Sequence, residues 1–304
     1  MYYCRDWVWR GWRIRYAYAR PDETPNRDPS RQHQTPLLFI HGFGSSWQQW
    51  HRNLSAIGEH HPVYALDLLG FGHSQKAATG YHVPLWADQV FAFWQTFIGR
   101  PAVLVGHSLG ALVAATTAVE FPQAVDKLVL LTLPETRQEM VGNPRLRQVI
   151  RTIECLVASP LLIRLIFQIA RQPRFIRAGL KLGYRDPAAI TEDLVAQFVS
   201  PTGDRGAAQT LCRLTQSATS STYSASRNTL LAKLSQPTLV IWGEGDRIIP
   251  ITQADGLCHS PQIERLNIPA AGHCLYDEAA DDVNQAILDW VTPPAQPPPQ
   301  LGSA

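Results

Sequence analysis

The sequence predicts an α/β protein: a mostly parallel, doubly wound sheet carrying an inserted helical lid. Three observations lead there. Short, continuous apolar runs at 37–40, 63–66, 102–105, 127–133 and 238–242 read as strands buried on both faces. Stretches with helical apolar spacing separate these runs, which places helices on both sides of a parallel sheet. From Pro134 to Lys233 the alternation stops and the chain reads as helical, with breaks at Pro144, Pro160, Pro173, Pro187 and Pro201.

In chain order, Trp7-Val8-Trp9 and the run from Trp12 to Tyr18 flank Arg10-Gly11 and predict a hairpin. Residues 20–36 form a Pro-rich polar loop. Trp86, Val90, Phe93, Trp94 and Phe97 recur at helical spacing, as do Ala111, Ala114, Ala115 and Ala118. After the insertion, 263–268 gives a last strand, and Val283, Ile287 and Trp290 mark a closing helix over 283–291. Residues 1–133 and 234–292 therefore form the core and 134–233 the lid. The Pro/Gln/Gly/Ser tail, 293–304, is expected to be disordered.

Composition narrows the function classes. The 304 residues are 45% apolar with a net charge of +2, which argues against a general nucleic-acid binder. Five cysteines without a C-x-x-C pair suggest neither a disulfide framework nor a zinc site. The start lacks a basic segment followed by an apolar one, and no apolar run is long enough to span a bilayer, so a cytoplasmic location is expected. The charge is unevenly spread. Residues 134–233 carry 14 Lys and Arg against 7 Asp and Glu, and the rest carries 13 against 18.

The chemistry concentrates at strand ends. Gly106-His107-Ser108-Leu109-Gly110 reads G-x-S-x-G between an apolar strand and an Ala-rich helix, the context of a nucleophile elbow. Such a turn needs room two positions either side of the serine, supplied by Gly106 and Gly110, and it aims helical N–H groups at the reacting centre. A serine hydroxyl needs a base and an orienting acid. Asp246 follows the strand 238–242 and His273 follows 263–268, in the order Ser, Asp, His; Glu244 and the more distant Asp255 are competing acids. Two backbone donors for an oxyanion are expected from Leu109 and from Phe43, in the turn His41-Gly42-Phe43-Gly44. The other histidines, apart from His41 and His107, read as surface or loop residues, and no metal or cofactor is called for.

These residues resemble the α/β-hydrolase superfamily of the Ser-His-Asp type. H-G-F-G at 41, L-D-L-L-G-F-G-H-S from 66, G-H-S-L-G at 106, W-G-E-G-D at 242 and A-G-H at 271 carry the resemblance along most of the chain. It implies Ser108 as nucleophile, His273 as base and then acid, Asp246 as the group fixing the imidazole, and an acyl-enzyme released by water. Dehalogenase-like and epoxide-hydrolase-like relatives need a carboxylate where Ser108 stands. H-G-F-G-S-S-W-Q-Q-W and L-W-A-D-Q-V-F-A-F are also similar to pheophytinase and chlorophyll dephytylase-type hydrolases, which cleave the phytyl ester of chlorophyll pigments. His107 departs from the asparagine usual there, and Ala280 from a proline common in relatives.

Substrate choice belongs to the lid. Residues 155–170 are almost continuously apolar and are flanked by arginines, which implies an apolar pocket and peripheral contact with an anionic membrane surface. The expected reaction is hydrolysis of a lipophilic carboxylic ester. Cleavage of a carbon–carbon bond by the same three residues, or lipophilic-ligand capture without catalysis, are the alternatives.

Overall fold

The computed structural model describes residues 1–21, 34–136, 139, 160–218, 220–257 and 260–292. The expected tail 293–304, most of the loop 20–36 and the lid segment 140–159 lie outside the described residues. Eight strands form one sheet: β1 (Tyr3–Trp9), β2 (Trp12–Ala19), β3 (Leu37–Ile40), β4 (Val63–Leu66), β5 (Ala102–His107), β6 (Val125–Leu131), β7 (Thr238–Gly243) and β8 (Ile263–Ile268). Their order is β1-β2-β4-β3-β5-β6-β7-β8. The β1–β2 and β2–β4 pairs are antiparallel and every other pair is parallel. This is the α/β fold that the buried runs predict.

The strands obey local rules. Arg10 and Gly11 both take positive φ, at 50° and 81°, the geometry of a two-residue hairpin turn that matches strand twist. β3, β4, β5 and β7 are buried throughout because helices cover both faces. β6 begins and ends two residues before the expected 127–133. Thr132 adopts φ 49°, which turns the chain out of the sheet after Leu131.

On one face, α2 (Val83–Phe97) and α3 (Leu109–Glu120) cover the sheet; Trp86, Val90 and Phe93 of α2 and the alanines of α3 pack against Leu38, Leu104 and Leu128. On the other face, α1 (His51–Ile57) and the closing helix α10 (Ala280–Val291) deliver Leu54, Val283 and Ile287 to Phe39, Val105 and Val129. Between β6 and β7 the described chain contains α4 (Pro160–Ala170), α5 (Pro173–Gly183), α6 (Glu192–Val199), α7 (Ala207–Ala218) and α8 (Arg227–Lys233), with one further turn of helix, α9 (Leu275–Glu278), after β8. Pro160 and Pro173 open helices, where a missing N–H costs nothing. The buried Lys76 ammonium anchors the insertion to the core through Asp204 at 3.1 Å.

The strand order sets the site. From β3 the chain crosses to β4 on one side and returns through α2 to β5 on the other, so the order reverses between β3 and β5. A crevice opens at the carboxyl ends of strands where this happens. Both the His41–Gly44 turn and the Ser108 turn leave the sheet there, with Ile40 in register with Gly106.

Gly110 seats α3 so tightly on β3 that an added Cβ would overlap the Ile40 carbonyl, whereas Gly179 in α5 faces open space. Gly110→Ala is expected to cost about 3 kcal/mol or more. Gly179→Ala should gain about 0.5–1 kcal/mol from helix propensity. Chemical denaturation of the two variants checks both, and a Gly110→Ala protein as stable as the parent would contradict the close approach.

Candidate active site

Ser108 sits between β5 and α3 at φ 52° and ψ −115°, a region that side chains other than glycine rarely occupy. The surroundings hold it there. Its N–H donates to the Leu131 carbonyl at 2.9 Å, and its carbonyl accepts from Ala111 N at 2.9 Å as α3 begins. A Cβ on Gly106 would overlap the Gly110 carbonyl, so the two glycines flanking the serine are sterically required. The turn leaves the serine half-buried.

Asp246 follows β7 in a short turn. Its Oδ1 accepts from the N–H groups of Ile248 and Ile249, each at 2.8 Å. With that oxygen fixed, Oδ2 meets His273 Nδ1 at 2.8 Å. The carboxylate thus keeps the proton on Nδ1 and leaves Nε2 as an acceptor. Both residues are buried. The competing acids lie elsewhere: Glu244 is exposed, and Asp255 pairs with Arg265 at 3.1 Å. Among the described residues Ser108 Oγ makes no hydrogen bond to His273, a contact that commonly tightens only when substrate is bound.

The residue before the serine reaches the histidine backbone. His107 Nε2 lies 3.0 Å from the His273 carbonyl, and the two rings are 4.7 Å apart. A carbonyl only accepts, so Nε2 carries the hydrogen and Nδ1 is the bare nitrogen. Burial and the neighbouring His273 hold this imidazole well below its ordinary pKa. A Cβ on Gly42 would stand 2.8 Å from His107 Nδ1, so the His41–Gly44 turn closes over this ring.

His41 is also buried and neutral. Its Nε2 accepts from Leu68 N at 3.0 Å, which leaves Nδ1 to donate to the Gly42 carbonyl at 2.7 Å. Burial pulls its pKa down to about 4. Gly42 N donates to Gln49 Oε1 at 3.2 Å, and Gly44 turns the chain at φ 72°. Phe43 N–H has no protein acceptor among the described residues, and Leu109 N–H belongs to the first turn of α3. Two backbone donors expected for an oxyanion therefore flank the crevice.

Two residues without an assigned role in the sequence reading organise the site. Asp67, fully buried, accepts from Trp47 N at 2.6 Å and His73 N at 2.7 Å, tying the chain after His41 to that after β4. Burial pushes its carboxyl up to about 7. Its signal is a lone acid inside the apolar run A-L-D-L-L-G. Glu278 joins the His273 loop to the end of α5: it accepts from Arg185 N at 2.6 Å, Asp186 N at 3.0 Å and Gly272 N at 2.8 Å. Cys274 N also donates to the Gly183 carbonyl at 3.1 Å, and the Arg185 guanidinium reaches the Pro269 carbonyl.

An open groove enclosing a cavity of about 110 Å³ starts at Phe43 and Gly44 and reaches the insertion, with Phe71, Phe167, Phe198 and Leu211 in its lining. Lys76 and Thr210 are polar groups in its wall; Ser108, Asp246 and His273 are not part of its lining. No cluster of side chains able to hold a metal ion occurs among the described residues.

Folded His41 binds its proton more weakly than the unfolded chain, whose histidine titrates near 6.5. Its contribution is therefore full above about pH 6.5 and is lost as the pH falls towards about 4. Because Asp67, raised to about 7, gains stability over the same range in both proteins, the check is a difference: the stability advantage of the parent over His41→Gln in urea unfolding should shrink by roughly 2 kcal/mol between about pH 7 and about pH 5. Glu278→Ala strands three backbone donors and is expected to cost about 2 kcal/mol. Glu278→Gln, which keeps one acceptor oxygen, should fall between the parent and the alanine variant in unfolding midpoint.

Comparison with known proteins agrees with this architecture. Residues 37–286 match the alpha/beta hydrolase family. The chain is 29% identical over 258 residues to the dihydrolipoyllysine-residue acetyltransferase component of the acetoin cleaving system of Pseudomonas putida, covering 84% of this chain and 63% of that protein. It therefore spans less than two thirds of that relative. It is 32% identical over 108 residues to human (lyso)-N-acylphosphatidylethanolamine lipase, 34% of this chain and 31% of that protein. The fold superimposes on a serine hydrolase involved in carbazole degradation, the CarC enzyme, with a TM-score of 0.76 at 19% identity, covering 96% of this chain and 99% of that one. A strained serine at a switch point, a carboxylate-held histidine and a match over residues 37–286 lead to one assignment: the chain belongs to the alpha/beta hydrolase family.

Proposed function

We propose that this protein hydrolyses carboxylic esters bearing a large apolar group, with Ser108 as nucleophile. The observation that carries the reading is the Asp246 to His273 hydrogen bond of 2.8 Å beside a serine held at φ 52°. His273 Nε2 takes the Ser108 proton as Oγ attacks the ester carbonyl carbon. The resulting oxyanion receives the N–H groups of Phe43 and Leu109. As the tetrahedral adduct collapses, the imidazolium returns the proton to the departing alcohol and an acyl-Ser108 ester remains. Water, deprotonated by the same nitrogen, then releases the acid and restores the serine.

The cavity beginning at Phe43 supports an apolar leaving or acyl group, because aromatic and aliphatic side chains dominate its wall. Each methylene buried there contributes roughly 0.8 kcal/mol. The likeness to a lipase over 108 residues points the same way. A phytyl ester of a chlorophyll-type pigment is the candidate substrate on which the finer resemblance converges.

Lengthening the acyl chain in a series of 4-nitrophenyl esters should raise kcat/KM about two- to fourfold per methylene until the cavity is full. Ser108→Ala should lower kcat by about 10⁴-fold or more while the protein stays folded. Chlorophyll and pheophytin, assayed alongside, should release phytol. Turnover of a vinylogous diketone far above every ester would replace the reading with carbon–carbon bond hydrolysis, and turnover that survives Ser108→Ala would overturn the mechanism.

A further inference from the structure

The helices α4 and α5 present an apolar face to solvent. Leu162, Leu165, Ile166 and Ile169 follow the i, i+3, i+4, i+7 spacing of one helical stripe, and they are between 40% and 59% exposed. Phe175 and Leu182 in α5, seven residues apart and so on one side, are 42% and 60% exposed. Single exposed apolar side chains are ordinary, but six on two consecutive helices, four of them on one stripe of α4, call for a partner. α4 is apolar on its other side as well. Ile163 is buried there, and Phe167 lines the cavity.

Charge selects the partner. Residues 160–183 contain Arg164, Arg171, Arg174, Arg177 and Lys181 and no Asp or Glu. Arg177 is engaged by Glu192 and the Ile190 carbonyl, whereas Arg164, Arg171, Arg174 and Lys181 are exposed. The Arg174 guanidinium lies 4.8 Å from the Phe175 ring, with an apolar body and a cationic head side by side. Exposed leucine, isoleucine and phenylalanine beside Arg164, Arg171, Arg174 and Lys181, which form no ion pair among the described residues, match a bilayer interface, where apolar groups enter the acyl boundary and cations meet anionic headgroups. At eleven residues each, the helices reach only about 16 Å, and no helix of the described residues is long and apolar enough to cross a membrane.

We propose that α4 and α5 form a docking face for an anionic lipid bilayer. The helix that would rest on the lipid turns its opposite side to the cavity through Phe167, so a lipophilic substrate enters that cavity from the bilayer side. Docking itself does not depend on the ester chemistry; the entry route rests on that reading.

Flotation of the full chain with vesicles tests the proposal. Binding is expected to vesicles of phosphatidylglycerol and phosphatidylcholine, at least about tenfold weaker to phosphatidylcholine alone, and reduced by salt. Leu165→Glu with Ile169→Glu, and separately Arg171→Glu with Arg174→Glu, should each lower binding at least about tenfold while hydrolysis of a short water-soluble ester stays unchanged. The charge pair keeps the test decisive if the apolar pair fails to fold. No binding to anionic vesicles, or variants that bind as the parent does, would overturn docking. So would a dimer, seen by sedimentation, that the Leu165→Glu and Ile169→Glu pair dissolves, because the face would then belong to a second copy. Vesicle binding without ester turnover would sink the hydrolytic reading and leave docking standing.

Discussion

The turn at Ser108 is the constraint on which the rest of the molecule is arranged. A serine at φ 52° stores about 1–3 kcal/mol of backbone strain, and it persists only where the surroundings leave no alternative. Those surroundings come from the centre of the sheet. β5 lies between β3 and β6, and the Ser108 N–H is held by Leu131 at the end of β6. α3 approaches β3 so closely that only glycine fits at position 110, and its alanines let it lie flat on the sheet. Strain at one residue is thus sustained by dense packing over two layers.

From this turn the other parts of the site are placed by buried polar groups rather than by strands alone. His107 extends the elbow to the His273 carbonyl, and His41 fixes the neighbouring turn between Leu68 and Gly42. Burial holds the pKa of both imidazoles down and keeps them neutral, so His107 donates through Nε2 alone while His41 donates through Nδ1 and accepts through Nε2. Asp246 spends one oxygen on two backbone donors and so has a single orientation left for the histidine. Glu278 then binds the histidine loop to the end of α5, which makes the helical insertion mechanically continuous with the site.

Much of this was legible in the sequence where the signal is local. The strand runs, the glycines around Ser108, and Asp246 and His273 at strand ends are each written within a few adjacent residues. The sequence places the end of β6 two residues late, because nothing in L-L-T-L-P announces that Thr132 takes a positive φ. Glu278 carried no signal: its partner Arg185 is 93 residues away, and only the fold makes them neighbours. His107 and His273, 166 residues apart, are the same case. For α4 the composition shows a helix apolar nearly all round. Which side meets Phe71 and the cavity, and which meets solvent, is decided by how the insertion packs.

The proposed chemistry requires the elbow at Ser108 to present an activated nucleophile to the crevice between β3 and β5. Labelling the purified protein with a fluorophosphonate and mapping the modified peptide tests it most directly. A single phosphonylated residue, Ser108, is expected, with labelling slowed when His273 is replaced by alanine. Modification of another residue, or an intact-mass shift that persists in Ser108→Ala, would contradict it.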